Sequence, residues 1–209
     1  MNELKIKFIH KYIKEVIKID KEILIKSAAY ELFKEYGFKK TNISMITKRA
    51  GIATGSFYKY YKSKEEIFLK VYIQENDILR ANMDESINWD ANPSDIVQEI
   101  FKLSLEAQTG NKILSEWNNN DINSFLKNYY SSEEGKREYP FHELLKNRFS
   151  LKLKQMNYKD DQINTILSTF DLIYLIDMRL DHSGVNDYNQ TFQFLIENFV
   201  RGLFIKHDK

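Results

Sequence analysis

The 209-residue chain contains no cysteine. That excludes disulfides, thiolate metal ligation and thiol nucleophiles, and it fits a reducing compartment. Only two prolines and seven glycines occur, too few for a turn-rich β fold, so long helices are expected. The four histidines, His10, His142, His182 and His207, are scattered. None forms a ligand pair at helical spacing, so no metal site is expected. No apolar run approaches the roughly 20 residues needed to span a bilayer, and no membrane partner is expected. The N-terminus alternates lysine with apolar residues, unlike a secretory signal, so the chain reads as cytoplasmic. Internal repeats, heptad runs and glycine-rich phosphate loops are also missing. Gly51 and Gly55 follow no strand and make no nucleotide fingerprint, so no cofactor is implied. No convergent His/Asp/Ser set points to an enzyme.

What is present is apolar and unevenly charged. Hydrophobic residues make up 43% and aromatics 14% of the chain, enough to bury a substantial core. The net charge is +1, but residues 1–80 hold 17 Lys+Arg against 10 Asp+Glu, and residues 81–209 hold 14 against 20. A basic front and an acidic back suggest that the front meets a polyanion.

Helical periodicity runs through the whole chain. Ile6, Ile9, Ile13, Val16 and Ile17 recur at helical intervals, with Lys5, Lys7, Lys11, Lys14 and Lys18 around them. This reads either as a basic arm adding phosphate contacts or as an extra amphipathic helix packed on the fold. Asp20 is placed to cap a new helix carrying Ile25, Ala28, Ala29, Leu32, Phe33 and Tyr36, which Gly37 ends. Ser63 and Glu66 form a capping box. They predict a sharp start to a helix of about six turns, carrying Ile67 through Ile87, that leaves the basic front for the acidic back.

Between these lie residues 41–61, which read as two short helices joined by a tight turn at Gly51. Thr41 is placed to cap the first helix, and Ile43 and Ile46 face inward. Gly51 supplies the left-handed residue that a helix end needs. The second helix starts at about Ala53. Phe57 and Tyr61, four apart, face its core, while Thr54, Ser56, Tyr58, Lys59 and Tyr60 occupy the remaining surface without a carboxylate. Small polar groups, phenols and a lysine suit a groove lined with phosphates. The pattern is a helix-turn-helix with a candidate recognition helix.

Farther on, residues 88–93 read as a boundary, and helices follow over about 94–109, 113–117, 122–129 and 140–156. Residues 131–137 are polar and contain Gly135, so they read as a loop. The last two helices, about 160–180 and 187–206, are apolar on more than one face and need two burial partners. One is the domain core. The other is a second copy of the chain, in a four-helix bundle across a two-fold axis. Aromatics crowd this acidic half. Trp89, Phe101, Trp117, Phe125, Tyr129, Phe149, Phe170 and Tyr174 are candidates to line a ligand cavity, though each also serves as ordinary core. Asp171 and Asp177 interrupt an apolar helix, and either meets a cationic ligand or pairs with Arg179 or Arg148.

The segment from Ile25 to about Phe68 resembles the TetR family of bacterial transcriptional regulators. The resemblance is carried by Ile25, Ala28-Ala29, Leu32-Phe33, Gly37-Phe38, Thr41, Ile43, Ile46, Ala50-Gly51-Ile52, Gly55, Phe57-Tyr58, Tyr61 and Ser63-Lys64-Glu65. It implies an all-α fold: an N-terminal helix-turn-helix domain over residues 1–65, then a larger helical regulatory and dimerisation domain over 66–209. It implies a ligand-responsive regulator, most often a repressor, that binds a palindromic double-stranded DNA operator as a homodimer through its last two helices. A small apolar or amphipathic effector would release it. A ligand-independent DNA-binding or architectural protein is the alternative.

Carried over by position, Thr41 would bond phosphate, and Thr54, Gly55 and Ser56 would face bases or the backbone. Tyr58, Lys59 and Tyr60 would contact the backbone or base edges, and Lys64 would grip phosphate at a helix N-terminus. Three positions depart from the family pattern. Ala53 replaces the usual Ser or Thr cap, so Thr54 is the candidate cap. Thr47 replaces a common alanine, and Tyr60 a frequent histidine.

Overall fold

A computed structural model describes residues 3–137, 140–179 and 185–204, with side chains described from residue 21 onward except at 120, 136–140 and 178–179. Among the described residues the chain is all-α, with no strand. The helices are α1 (Glu3–Lys40), α2 (Ile43–Arg49), α3 (Thr54–Phe57), α4 (Lys64–Ser86) and α5 (Pro93–Gly110). A short 3-10 turn, Leu114–Asn118, precedes α6 (Asn120–Ser131), α7 (Glu133–Arg137), α8 (Pro140–Gln155), α9 (Asp160–Arg179) and α10 (Tyr188–Phe204).

The chain divides into two compact units. One comprises residues 1–78 and 108–122, the other 79–107 and 123–209. The first unit therefore extends beyond the expected boundary at residue 65 and recruits a segment from the middle of the chain. The division falls inside α4, α5 and α6, so those helices contribute residues to both units.

In the first unit, Ile25, Ala29 and Phe33 form the fully buried stripe of α1, at i, i+4 and i+8. Phe33 and Phe38 both meet Phe68 of α4, at ring centroids 5.0 and 4.9 Å apart in edge-on geometry. No new helix starts at Asp20. The helix runs through that position, because a strong stripe on one side and helix-forming Lys and Glu around it leave nothing to stop it. Gly37 does break α1, at φ 78° and ψ 174°.

In the second unit, Met83, Ile87, Ile96 and Phe141 form one cluster. Val97, Phe149 and Val200 form another, and Leu153, Ile163 and Ile166 a third. Residues 133–137, expected as loop, form α7. Gly135 makes this possible, since a Cβ there would lie 2.1 Å from the carbonyl oxygen of Tyr129. On α9, Leu172 and Ile176 are 56% and 39% exposed, and on α10 Phe194 and Leu195 are 68% and 48% exposed. An apolar face is thus left uncovered on the two helices expected to have a second partner.

Candidate functional site

The helix-turn-helix forms as its local chemistry dictates. Asn42, not Thr41, caps α2. Its Oδ1 accepts from the N–H of Met45 at 3.0 Å. Thr41 is 1% exposed, and its hydroxyl donates to the carbonyl of Gly37 at 2.8 Å and faces that of Leu32 at 3.3 Å. The hydroxyl expected to bond phosphate is thus turned inward, onto the carbonyls of Leu32 and Gly37. Gly51 has φ 69° and turns the chain after α2. The N–H of Ile52 then returns to the carbonyl of Thr47 at 3.0 Å.

The recognition helix is shorter than expected: α3 covers only Thr54–Phe57 and continues as turns. Ala53 occupies the cap position without a side-chain bond. The Thr54 hydroxyl meets that of Thr47 at 3.2 Å, and Thr47 also donates to the carbonyl of Ser44 at 3.2 Å. The departure at Thr47 is thus coupled to Thr54 and pins α3 against α2. Phe57 and Tyr61 are buried as expected, with rings 5.8 Å apart.

Around this anchor Thr54, Gly55, Tyr58 and Lys59 are exposed, and Ser56 and Tyr60 half-exposed. A Cβ on Gly55 would meet nothing within 4 Å, so no neighbouring protein surface demands glycine there. Exposed Lys39, Lys40, Asn42, Ser44, Lys48 and Arg49 flank the same motif. Arg49 lies 3.8 Å from Glu35, an exposed pair worth little in water.

Lys64, expected to grip phosphate, makes contacts within the chain. Its ammonium donates to the carbonyls of Phe38 at 3.0 Å and Thr41 at 3.1 Å and sits 3.9 Å above the Phe38 ring. It closes the exposed end of α1 onto the start of α4. The capping box at Ser63 forms on one side, with the N–H of Glu66 donating to Ser63 Oγ at 3.2 Å. On the other, the Glu66 carboxylate takes the N–H of Lys62. Burial, with Glu22 and Glu66 nearby, pushes the Tyr61 phenol up to about 12.

The second unit holds a cavity of about 180 Å³ between α5, α8, α9 and α10. Of the eight expected aromatics, Phe101, Phe149, Phe170 and Tyr174 line it, with Ile100, Leu145, Ile173 and Phe192 completing its apolar wall. The other four lie elsewhere. Trp89 packs on the cluster around Met83, its indole N–H donating to the carbonyl of Asp84 at 3.0 Å, with the Arg148 guanidinium over its ring. Trp117 belongs to the first unit and stacks on Tyr72 at 6.4 Å. Phe125 is 37% exposed, and Tyr129 stands edge-on to Tyr130. Composition alone marks aromatics without telling which helix face they occupy.

Polar groups of the cavity are His142 and Lys146 on α8 and Asp177 on α9. Asp171 does not pair with Arg148. It faces His142 Nε2 at 2.7 Å and accepts from Lys146 Nζ at 3.1 Å. Burial alone would raise the Asp171 carboxyl, but bonds from His142 and Lys146 and their charges hold it below the usual carboxylate range. Arg148 pairs instead with Asp84 at 3.5 Å, and the Arg179 side chain lies outside the described residues. Asp177 accepts from the Tyr188 hydroxyl at 2.7 Å, and burial together with this bond drives the phenol well above its ordinary value. His142 and Lys146 were missed in the sequence. Their signal was the i, i+4 spacing on α8, in register with Phe149 three residues on.

Residues 25–71 match the family of bacterial regulatory proteins, tetR family. The fatty acid metabolism regulator protein of Bacillus subtilis is 28% identical over 130 residues, covering 55% of this chain and 65% of its own length. The transcriptional regulator RutR of Escherichia coli is 31% identical over 86 residues, covering 41% and 40%. The matched stretches thus span less than two thirds of these relatives. The ligand-free structure of RolR superposes with a TM-score of 0.52 at 12% identity, covering 87% of this chain and 95% of that one, a likeness of fold. The order of motifs in the first unit and the match over residues 25–71 agree: this part of the chain is similar to the tetR family of bacterial regulatory proteins.

Proposed function

We propose that this protein is a ligand-responsive repressor, acting in the cytoplasm, that binds a palindromic DNA operator as a homodimer and is released by a small molecule. The observation that carries the reading is the surface of the short recognition helix. Thr54, Gly55, Tyr58 and Lys59 are exposed together on a motif whose other side is locked by Phe57, Tyr61 and the Thr47–Thr54 pair. Rigid presentation of small polar, phenolic and cationic groups fits contacts to phosphates and base edges. Ser56 and Tyr60 complete the interface, with Lys39, Lys48 and Arg49 as flanking cations.

The uncovered apolar face of α9 and α10 supports dimerisation through those helices, which would set two readers on paired half-sites. The cavity supports an effector site, being apolar with a few convergent polar groups. Binding-site selection on genomic DNA, followed by small-molecule challenge of the recovered complex, tests the reading. A footprint with two-fold symmetry that a ligand dissolves is the expected result. DNA binding indifferent to every ligand that raises the melting temperature would favour an architectural role.

A further inference from the structure

The cavity has two chemically different ends, and this sorts its ligands. Lys146 and His142 stand at one end, both held from outside by Asp171. An ammonium has three donors. Asp171 at 3.1 Å and Glu143 at 3.5 Å take two of those on Lys146, leaving one. With Nε2 of His142 against Asp171, its other ring nitrogen remains. The two carboxylates are on the wet side, their side chains 44% and 64% exposed, while Lys146 and His142 are 21% and 20% exposed. Water screens the carboxylates more than the cation facing the apolar interior. At the other end Asp177 is six residues beyond Asp171 on α9, about 9 Å at 1.5 Å per residue.

An oxygen anion at Lys146 gains a charge-assisted hydrogen bond, and the same anion at Asp177 is repelled. Size narrows the choice further. A volume of about 180 Å³ is of the order of the ~150 Å³ apolar cavity that accepts benzene. It accommodates one ring or a short chain. Phe101, Phe149 and Phe170 supply the surface for such a body.

We propose that this cavity binds a small organic acid with a single-ring or comparably short apolar body, its carboxylate on Lys146 and His142 and its apolar body toward Asp177. Asp171 is the positioning residue for both polar groups. This builds on the reading of the cavity as the effector site.

Calorimetric titration of the full chain with benzoate, benzylamine and benzyl alcohol tests it. Benzoate is expected to bind at least tenfold more tightly than the other two. Lys146→Met is expected to cost benzoate tenfold or more while leaving benzyl alcohol within about threefold, which separates loss of the contact from loss of the fold. Asp177→Asn leaves benzoate unchanged or tighter. Preference for benzylamine that Asp177→Asn abolishes, benzoate binding indifferent to Lys146→Met, or no binding of any of the three would overturn the proposal. Benzoate bound through Lys146 without any effect on operator binding would instead count against the effector reading of the cavity, and leave the ligand class standing.

Discussion

The main-chain N–H of Phe38 donates to Oε1 of Glu116 at 3.0 Å, across 78 residues of sequence. The bond closes the break that Gly37 makes in α1, and it is joined by Lys112 donating to the carbonyl of Glu35 at 2.6 Å. Asn111 adds a bond to the Glu75 carboxylate, within the same unit. The segment 108–122 is thereby tied to the end of the helix that precedes the helix-turn-helix.

Removing that acceptor has a definite cost. Glu116→Ala leaves the Phe38 N–H unpaired in a half-buried site, and a loss of about 1–3 kcal/mol is expected. Glu116→Gln keeps an acceptor and should lose less. Gly37→Ala should be destabilising by at least about 1 kcal/mol, because φ 78° is unfavourable for any residue with a Cβ. Urea unfolding of the three variants checks the order, and a Gln variant as unstable as the Ala one would remove the bond from the account.

Lys59 and Lys64 should differ in kind. Lys59 is exposed beside the recognition helix, whereas the Lys64 ammonium already bonds two carbonyls of its own chain. Lys59→Met is expected to weaken operator binding and flatten its salt dependence by about one unit of slope, as for one lost phosphate contact. Lys64→Met should lower the melting temperature and leave the slope nearer that of the unmodified protein. Operator titrations over a series of salt concentrations, paired with thermal unfolding, distinguish the two. The reverse assignment would restore Lys64 to the phosphate backbone.

These residues also mark how far the sequence reaches. Apolar periodicity placed the helices, and Gly37, Gly51 and the Ser63–Glu66 pair placed their ends, because each rule is local. Tyr58 and Lys59 were legible as surface since Phe57 and Tyr61 claim the opposite face. The inward contacts of Thr41 and Lys64 were not legible, because their partners are main-chain carbonyls between Leu32 and Thr41 that no spacing encodes. Trp117 and Phe101 show the same limit in the second half of the chain. Both are aromatic, yet one stacks on Tyr72 and the other lines the cavity. The segment 108–122 joins the reader through bonds separated by many residues, and hydrophobic periodicity says nothing about those.

Tyr61 should write itself into the alkaline limb of stability. Its phenol is raised to about 12 in the folded state from an ordinary value of 10, so the folded chain holds this proton more tightly than the unfolded one. Stability from this group is complete below pH 10 and falls as pH rises from about 10 to 12. Tyr61→Phe, lacking that titration, should show a flatter decline over the same interval. Unfolding curves at intervals from pH 9 to 12 compare the two slopes. Parallel curves would mean that burial does not perturb the phenol.

Phe194 carries the last prediction. At 68% exposure it is the most exposed of the large hydrophobic side chains on α10, and Leu195 beside it is 48% exposed. Burying such a pair against a second copy, together with Leu172 and Ile176 of α9, removes apolar surface from water at about 25 cal/mol per Å². Placing a charge there opposes association, since an unpaired carboxylate in a closed interface is heavily penalised. Phe194→Asp should therefore convert the proposed dimer to a monomer while leaving helical content unchanged, because the side chain supports little within its own chain. Light scattering coupled to gel filtration reads the mass, and circular dichroism controls for folding. The monomer should also lose affinity for a two-half-site operator far more than for a single half-site, because only the paired sites benefit from linking two readers. A variant that stays dimeric, or a dimer lost without any change in operator affinity, would remove α9 and α10 from the proposed DNA-binding assembly.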